Sequence, residues 1–84
     1  MERTIIIKSE AGIHARPASI FVKEAVGASA DVFLIKDGKE FNGKSIMSIL
    51  GMGATKGTKL VLKVIGEGET ELIDKLSTIL DEAV

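Results

Sequence analysis

The absence of cysteine constrains this chain more than any other feature of its sequence. A chain of 84 residues that can form neither disulfides nor a thiolate metal site must hold its fold with one apolar core. Hydrophobic residues make up 45% of the sequence, which is enough to build such a core and argues against a disordered chain. We therefore predict a single domain that spans residues 1–84.

The net charge, the small number of metal-binding side chains and the lack of long apolar segments argue against several classes of protein. The formal net charge is -1 and the basic residues are spread along the chain, which argues against nucleic-acid binding. One histidine without cysteine cannot form a structural zinc site, and we expect no metal and no cofactor. The sequence shows no signal-peptide pattern and no apolar run near the ~20 residues of a membrane span. We expect a cytoplasmic protein without membrane insertion.

The hydrophobic pattern predicts seven elements in the order β-α-β-β-α-β-α. Apolar and alternating runs predict strands at residues 4–8, 30–36, 39–42 and 59–65. Helical spacing predicts helices at residues 17–26, 46–50 and 69–83. A mixed sheet with helices packed on one face would bury both kinds of apolar surface, so the predicted class is α+β.

Turn and cap residues predict where these elements begin and end. Asp37-Gly38 favours a type I′ hairpin turn, and Ser45 favours the N-cap of the second helix. Pro17 suits the first helical position, where its missing N–H would have no partner, and Gly27 suits a left-handed helix end. We predict that the apolar side of the first helix comprises Ile20, Phe21, Ala25 and Val26.

The sequence places His14 just before the first predicted helix. A histidine there lies beside unpaired backbone N–H groups and the positive end of the helix dipole, which together can hold a phosphate. Arg16 adds a cation that matches phosphate oxygens, and the amides of Ala15 and Arg16 are the best donors because Pro17 has no N–H. A neutral imidazole is nucleophilic toward phosphorus. The alternative is a solvated surface histidine, and spacing alone does not decide between the two.

Residues 38–45 match the P-loop pattern G-x-x-x-x-G-K-S letter for letter. A real P-loop wraps between a buried strand and a helix, whereas here the segment contains a favoured hairpin turn and a return strand. The chain is also too short for the parallel sheet and magnesium-binding acid of a nucleotide hydrolase. We interpret the match as a coincidence and rank a nucleotide-binding enzyme as the third hypothesis.

Ser45 and the apolar residues after it have two interpretations each. As a helix N-cap Ser45 contributes about 1 kcal/mol, and as a phosphorylation site it would place the new charge where the helix dipole tolerates it. Both roles of Ser45 can coexist.

Four apolar residues on or beside the short helix could belong to the core or form an exposed patch for partners. They are Ile46, Met47, Leu50 and Met52.

Residues 12–18, Gly-Ile-His-Ala-Arg-Pro-Ala, resemble the signature of HPr, the histidine-containing phosphocarrier family of the bacterial phosphoenolpyruvate-dependent sugar phosphotransferase system. Residues 44–47 and the glycine-rich residues 51–57 agree at the right distance, so the resemblance spans essentially the whole chain. It implies an open-faced β-sandwich, in which three helices cover one face of a four-stranded antiparallel sheet. It also implies a phosphoryl carrier rather than an enzyme.

The resemblance implies roles for single residues. His14 would accept a phosphoryl group on Nδ1 from enzyme I and pass it to the IIA domains of sugar permeases, with Arg16 steadying it. Ser45 matches the regulatory serine of Gram-positive HPr, which HPr kinase/phosphorylase modifies and whose phosphorylated form acts with a catabolite-control transcription factor. We expect a monomer. The partner-binding patch is predicted to comprise Ile46, Met47, Leu50 and Met52.

Two departures from the family pattern and one rival hypothesis remain. Leu50 and Met52 look like an exchange of the usual Met and Leu, which could retune partner affinity. Ala11 stands where a polar residue is usual, so the loop beneath the histidine is expected to lack a supporting hydrogen bond.

The rival hypothesis is an HPr-like regulatory protein that acts mainly through Ser45 in carbon catabolite control. Relatives of that kind tend to lack the histidine, so His14 counts against it.

Overall fold

The computed structural model describes residues 1–82 and contains four strands: β1 (Glu2–Ile6), β2 (Asp31–Lys36), β3 (Lys39–Asn42) and β4 (Lys59–Ile65). They form one sheet in the order β1-β4-β2-β3, and every pairing is antiparallel. The expectation of a mixed sheet is wrong because β4 inserts between β1 and β2, so the two strands joined through the first helix are never neighbours. The antiparallel sheet implied by the resemblance is confirmed.

Three helices cover one face of this sheet: α1 (Ala15–Val26), α2 (Ile46–Gly51) and α3 (Glu69–Asp81). In the central strand β4, Leu60, Leu62 and Val64 are fully buried toward the helices, while the alternate residues are less buried on the opposite face. The helices contribute Phe21, Ile49, Ile73, Leu76 and Leu80 to the same core. The architecture is the predicted open-faced β-sandwich.

Strand boundaries differ from the predictions at β1 and β2. β1 begins and ends two residues earlier than predicted, because its last pair joins Ile6 to Lys59, where β4 begins. β2 begins one residue later than predicted. The turn between β2 and β3 is confirmed, since Asp37 and Gly38 have φ values of 52° and 78° as a type I′ turn requires. The P-loop pattern is therefore a hairpin turn, a strand and a helix start.

Helix boundaries also differ in places. Gly27 ends α1 in a right-handed conformation, with φ -70°, so the prediction of a left-handed residue there is wrong. The last turn instead tightens, because the Ala28 N–H donates to the Ala25 carbonyl at 3.2 Å. α2 includes Gly51, one residue more than predicted. α3 ends at Asp81, and the predicted end at Ala83 lies outside the described residues.

The buried stripe of α1 is narrower than predicted. It consists of Pro17, Ala18, Phe21 and Ala25, which recur on one side of the helix. The predicted members Ile20 and Val26 are instead exposed at the surface. Within residues 1–82, no helix is long and apolar enough to cross a membrane.

Candidate functional site

His14 is the N-cap residue of α1 and keeps an extended backbone, with φ -111° and ψ -172°. The helix begins at Ala15, two residues earlier than predicted, so Pro17 is its third residue and not its first. Proline is tolerated there because the N–H groups of the first turn have no acceptor within the helix. The first helical hydrogen bond runs from the Ala18 N–H to the His14 carbonyl, at 3.1 Å. The amides of Ala15 and Arg16 thus belong to the first turn, whose N–H groups have no acceptor within the helix itself.

The charges around this helix start favour an anion. The N-terminal end of α1 carries the positive end of the helix dipole, and its first turn contains no acidic residue. Arg16 is exposed beside the partly buried His14. Within the described residues, the His14 side chain forms no capping hydrogen bond with the first-turn amides. These amides and the Arg16 guanidinium stay the predicted phosphate-binding groups.

The loop before His14 is held by backbone hydrogen bonds. The Gly12 N–H donates to the Ser9 carbonyl at 3.0 Å, and the Ile13 N–H donates to the Ala54 carbonyl at 3.1 Å. Both bonds come from the main chain, and the lack of a supporting side-chain hydrogen bond at Ala11 stays a prediction. Ala11 itself is exposed.

Gly12 allows this loop to lie directly on residues 54–55. It has a φ of 69°, and a Cβ at this position would lie 2.2 Å from the Ala54 carbonyl oxygen and 2.9 Å from the Thr55 Cα. Any side chain would therefore push the two loops apart. None of the predictions from the sequence gave Gly12 this role, although a glycine two residues before His14 was a usable signal. A Lys56–Glu10 ion pair joins the same two loops at the exposed rim.

Ser45 caps α2, as predicted. Its Oγ accepts a hydrogen bond from the Ser48 N–H at 3.3 Å, and its backbone carbonyl accepts the Ile49 N–H at 3.1 Å. The preceding lysine is fixed elsewhere, since the Lys44 Nζ donates to the Ala28 carbonyl at 2.9 Å. α2 packs against α1, so the capping serine and the histidine lie on neighbouring helices. Phosphorylation of Ser45 stays a prediction.

The predicted apolar patch is smaller than the sequence indicated. Met47 is 76% exposed and Leu50 is 38% exposed, while Ile46 is half-buried against the core. Met52 is only 3% exposed, so its predicted place in the patch is wrong. It lies beyond the end of α2, where the chain turns inward and the thioether fills the core. Of the exchanged pair, Leu50 is the outward residue and Met52 the inward one.

Residues 1–82 match the family "PTS HPr component phosphorylation site". The chain is 39% identical over 84 residues to the HPr-like protein Crh of Bacillus subtilis, covering 100% of this chain and 99% of that one. The structure is similar to phosphocarrier protein HPr from Bacillus anthracis, with a TM-score of 0.89, 32% identity and 96% of each chain covered. It also resembles a domain-swapped dimer of Bacillus subtilis Crh, with a TM-score of 0.76, 41% identity, and 90% and 87% coverage.

We expect Gly12→Ala to lower the free energy of unfolding by about 3 kcal/mol, because alanine must keep a left-handed backbone and displace the Ala54 carbonyl. Gly38→Ala is the matched control, since Gly38 also has a positive φ but no atom within 4 Å of its Cβ position. Its loss should be about 1 kcal/mol, from backbone strain alone. Urea unfolding of both variants measures the difference. Equal losses would contradict the steric contact.

Proposed function

The chain belongs to the PTS HPr family, and from this premise we propose that His14 carries a phosphoryl group from enzyme I to the IIA domains of sugar permeases. Members of this family are phosphocarriers and not catalysts of a reaction of their own. In each transfer the phosphoryl group would leave a phosphohistidine of enzyme I and bond to Nδ1 of His14. One P–N bond breaks as another forms, and the group does not pass to water.

The position of His14 at the start of α1 is the observation that carries this proposal. A phosphoryl group on the imidazole would lie near the positive helix end and the amides of Ala15 and Arg16. The Arg16 guanidinium would neutralise part of its charge with several N–H donors. Because Arg16 is exposed, it can also move with the group toward a partner. The site therefore suits transient storage rather than tight retention of phosphate.

Incubation with phosphoenolpyruvate and enzyme I is expected to place one phosphate on each chain. The phosphate should be labile in acid and stable in base, as a phosphoramidate is. His14→Ala should abolish the labelling, and Ser45→Ala should retain it, as followed by intact-mass spectrometry. Labelling of the His14→Ala variant would refute the assignment of the site.

Arg16→Ala should slow phosphoryl transfer in both directions because the variant loses the cation beside the transferring group. Removing a comparable donor from a dry site costs a hundredfold or more, and we expect about tenfold at this exposed position. Lys23→Ala is the matched control, because it removes the same charge from the last turn of the same helix. Rapid-quench kinetics with phosphorylated enzyme I measures both variants. Equal rates for Arg16→Ala and the unmodified protein would remove Arg16 from the site.

We further propose that Ser45 is a regulatory phosphorylation site and that partners dock on the exposed apolar side chains of Met47 and Leu50. The similarity to Crh supports this second role. HPr kinase/phosphorylase and a catabolite-control transcription factor are the partners it would involve. A protein that worked only in this way would not need His14, so we rank regulation alone below the carrier role. The monomeric state also stays a prediction, since the related Crh forms a swapped dimer.

Ser45→Asp is expected to raise the concentration of this protein that half-saturates phosphorylation by enzyme I. A new anion at the start of α2 would have to be desolvated in the interface and would meet the partner's own phosphate. Ser45→Ala loses only the hydrogen bond to the Ser48 N–H, which should cost about 1 kcal/mol of stability without weakening docking.

The decisive comparison uses the unmodified and Ser45-phosphorylated proteins in the same transfer assay, with circular dichroism as a control for the fold. Equal half-saturating concentrations would leave Ser45 as a helix cap without a regulatory role.

A further inference from the structure

Lys36 lies at the end of β2, and its ammonium group reaches the C-terminal end of α2. The Nζ donates a hydrogen bond to the Met52 carbonyl at 2.9 Å, in a partly buried contact. Met52 is the C-cap residue of α2, and the last turn of that helix contains no basic residue of its own. Lys36 therefore supplies, from a distant strand, the cation that stabilises the negative end of the helix dipole.

The carbonyl that Lys36 holds is two residues from the carbonyl that supports the His14 loop. Gly53 turns the chain with a φ of 67°, and a Cβ there would lie 4.0 Å from the Lys36 Nζ. The next residue, Ala54, accepts the Ile13 N–H at 3.1 Å and lies directly against Gly12. Residues 52–54 are thus bonded at both ends, to the Lys36 ammonium at Met52 and to the Ile13 N–H at Ala54.

Lys36 keeps this contact despite an unfavourable neighbour. In the hairpin it pairs directly with Lys39 across the two strands, and both side chains lie on the helix-covered side of the sheet. Directly opposed like charges destabilise a sheet pair. The Met52 carbonyl offsets that cost for Lys36, while the Lys39 ammonium lies 5.3 Å from the centre of the Phe41 ring.

We propose that Lys36 is a positioning residue for His14. By holding the Met52 carbonyl it fixes residues 52–54, and through the Ala54 carbonyl it fixes the loop that presents the imidazole beside the first-turn amides of α1. This inference rests on the carrier role proposed for His14. The buried Met52 side chain stays in the core without Lys36, so losing the ammonium loosens the segment while the fold persists.

Lys36→Met tests the proposal, because it removes the donor and keeps most of the aliphatic chain. Hydrogen exchange of the Ile13 amide reports the bond to Ala54 directly, and we expect it to become about 3–10-fold faster, as the loss of a partly exposed charged hydrogen bond would produce. Lys36→Arg restores a donor and should bring exchange back toward that of the unmodified protein. Lys39→Met removes the same charge from the same face of the hairpin and should leave the Ile13 amide unchanged. The Leu62 amide in β4 reports global unfolding, and its exchange in each variant measures how much of the change at Ile13 comes from lower overall stability.

Phosphoryl transfer from enzyme I provides the second measurement. With this protein as the substrate of enzyme I, Lys36→Met should lower kcat. KM should change little, because the exposed docking residues Met47 and Leu50 are untouched, and Lys36→Arg should recover kcat. Unchanged Ile13 exchange, or equal acceleration in Lys39→Met, would overturn the proposal. Faster exchange with an unchanged kcat would overturn it as well. If the unmodified chain accepts no phosphate, the carrier role fails, and Ile13 exchange still decides whether Lys36 holds the loop.

Discussion

The carbonyl oxygen of Ala54 forms the central contact of the loop that carries His14. This oxygen accepts the Ile13 N–H and lies so close to Gly12 that no side chain fits between them. The contact joins the segment before α1 to the segment after α2, so the start of one helix depends on the end of the other. The backbone position of His14 at the start of α1 depends on this contact.

The two residues proposed for phosphorylation are both helix N-caps, but they use that position differently. The hydroxyl oxygen of Ser45 accepts a hydrogen bond from the Ser48 N–H, so a backbone donor at the start of α2 is paired with the capping side chain. The side chain of His14 does not cap α1 in this way within the part of the chain that the structure describes. In our proposal the amides of α1 hold a transient phosphate, whereas the Ser48 amide of α2 already has a partner in the fold.

Features set by neighbouring residues could be predicted from the sequence. The turn at Asp37 and Gly38 follows from backbone conformations that only a few residue types accept, and the cap at Ser45 follows from a side chain that reaches three residues along. The prediction of the backbone conformation at the C-terminal end of α1 was less successful. Gly27 stays right-handed although glycine permits either hand, because the direction of the following chain decides which is used.

By itself, the sequence determined the order of the elements, the hairpin, and the place of His14 and Arg16 at a helix start, because period, turn and cap signals act over a few residues. Only the tertiary structure decided that Met52 lies in the core and that its carbonyl meets Lys36, sixteen residues away. It also decided that Gly12 lies on Ala54. No local pattern marks such contacts, because the packing of helices on the sheet sets the distance between residues far apart in the chain.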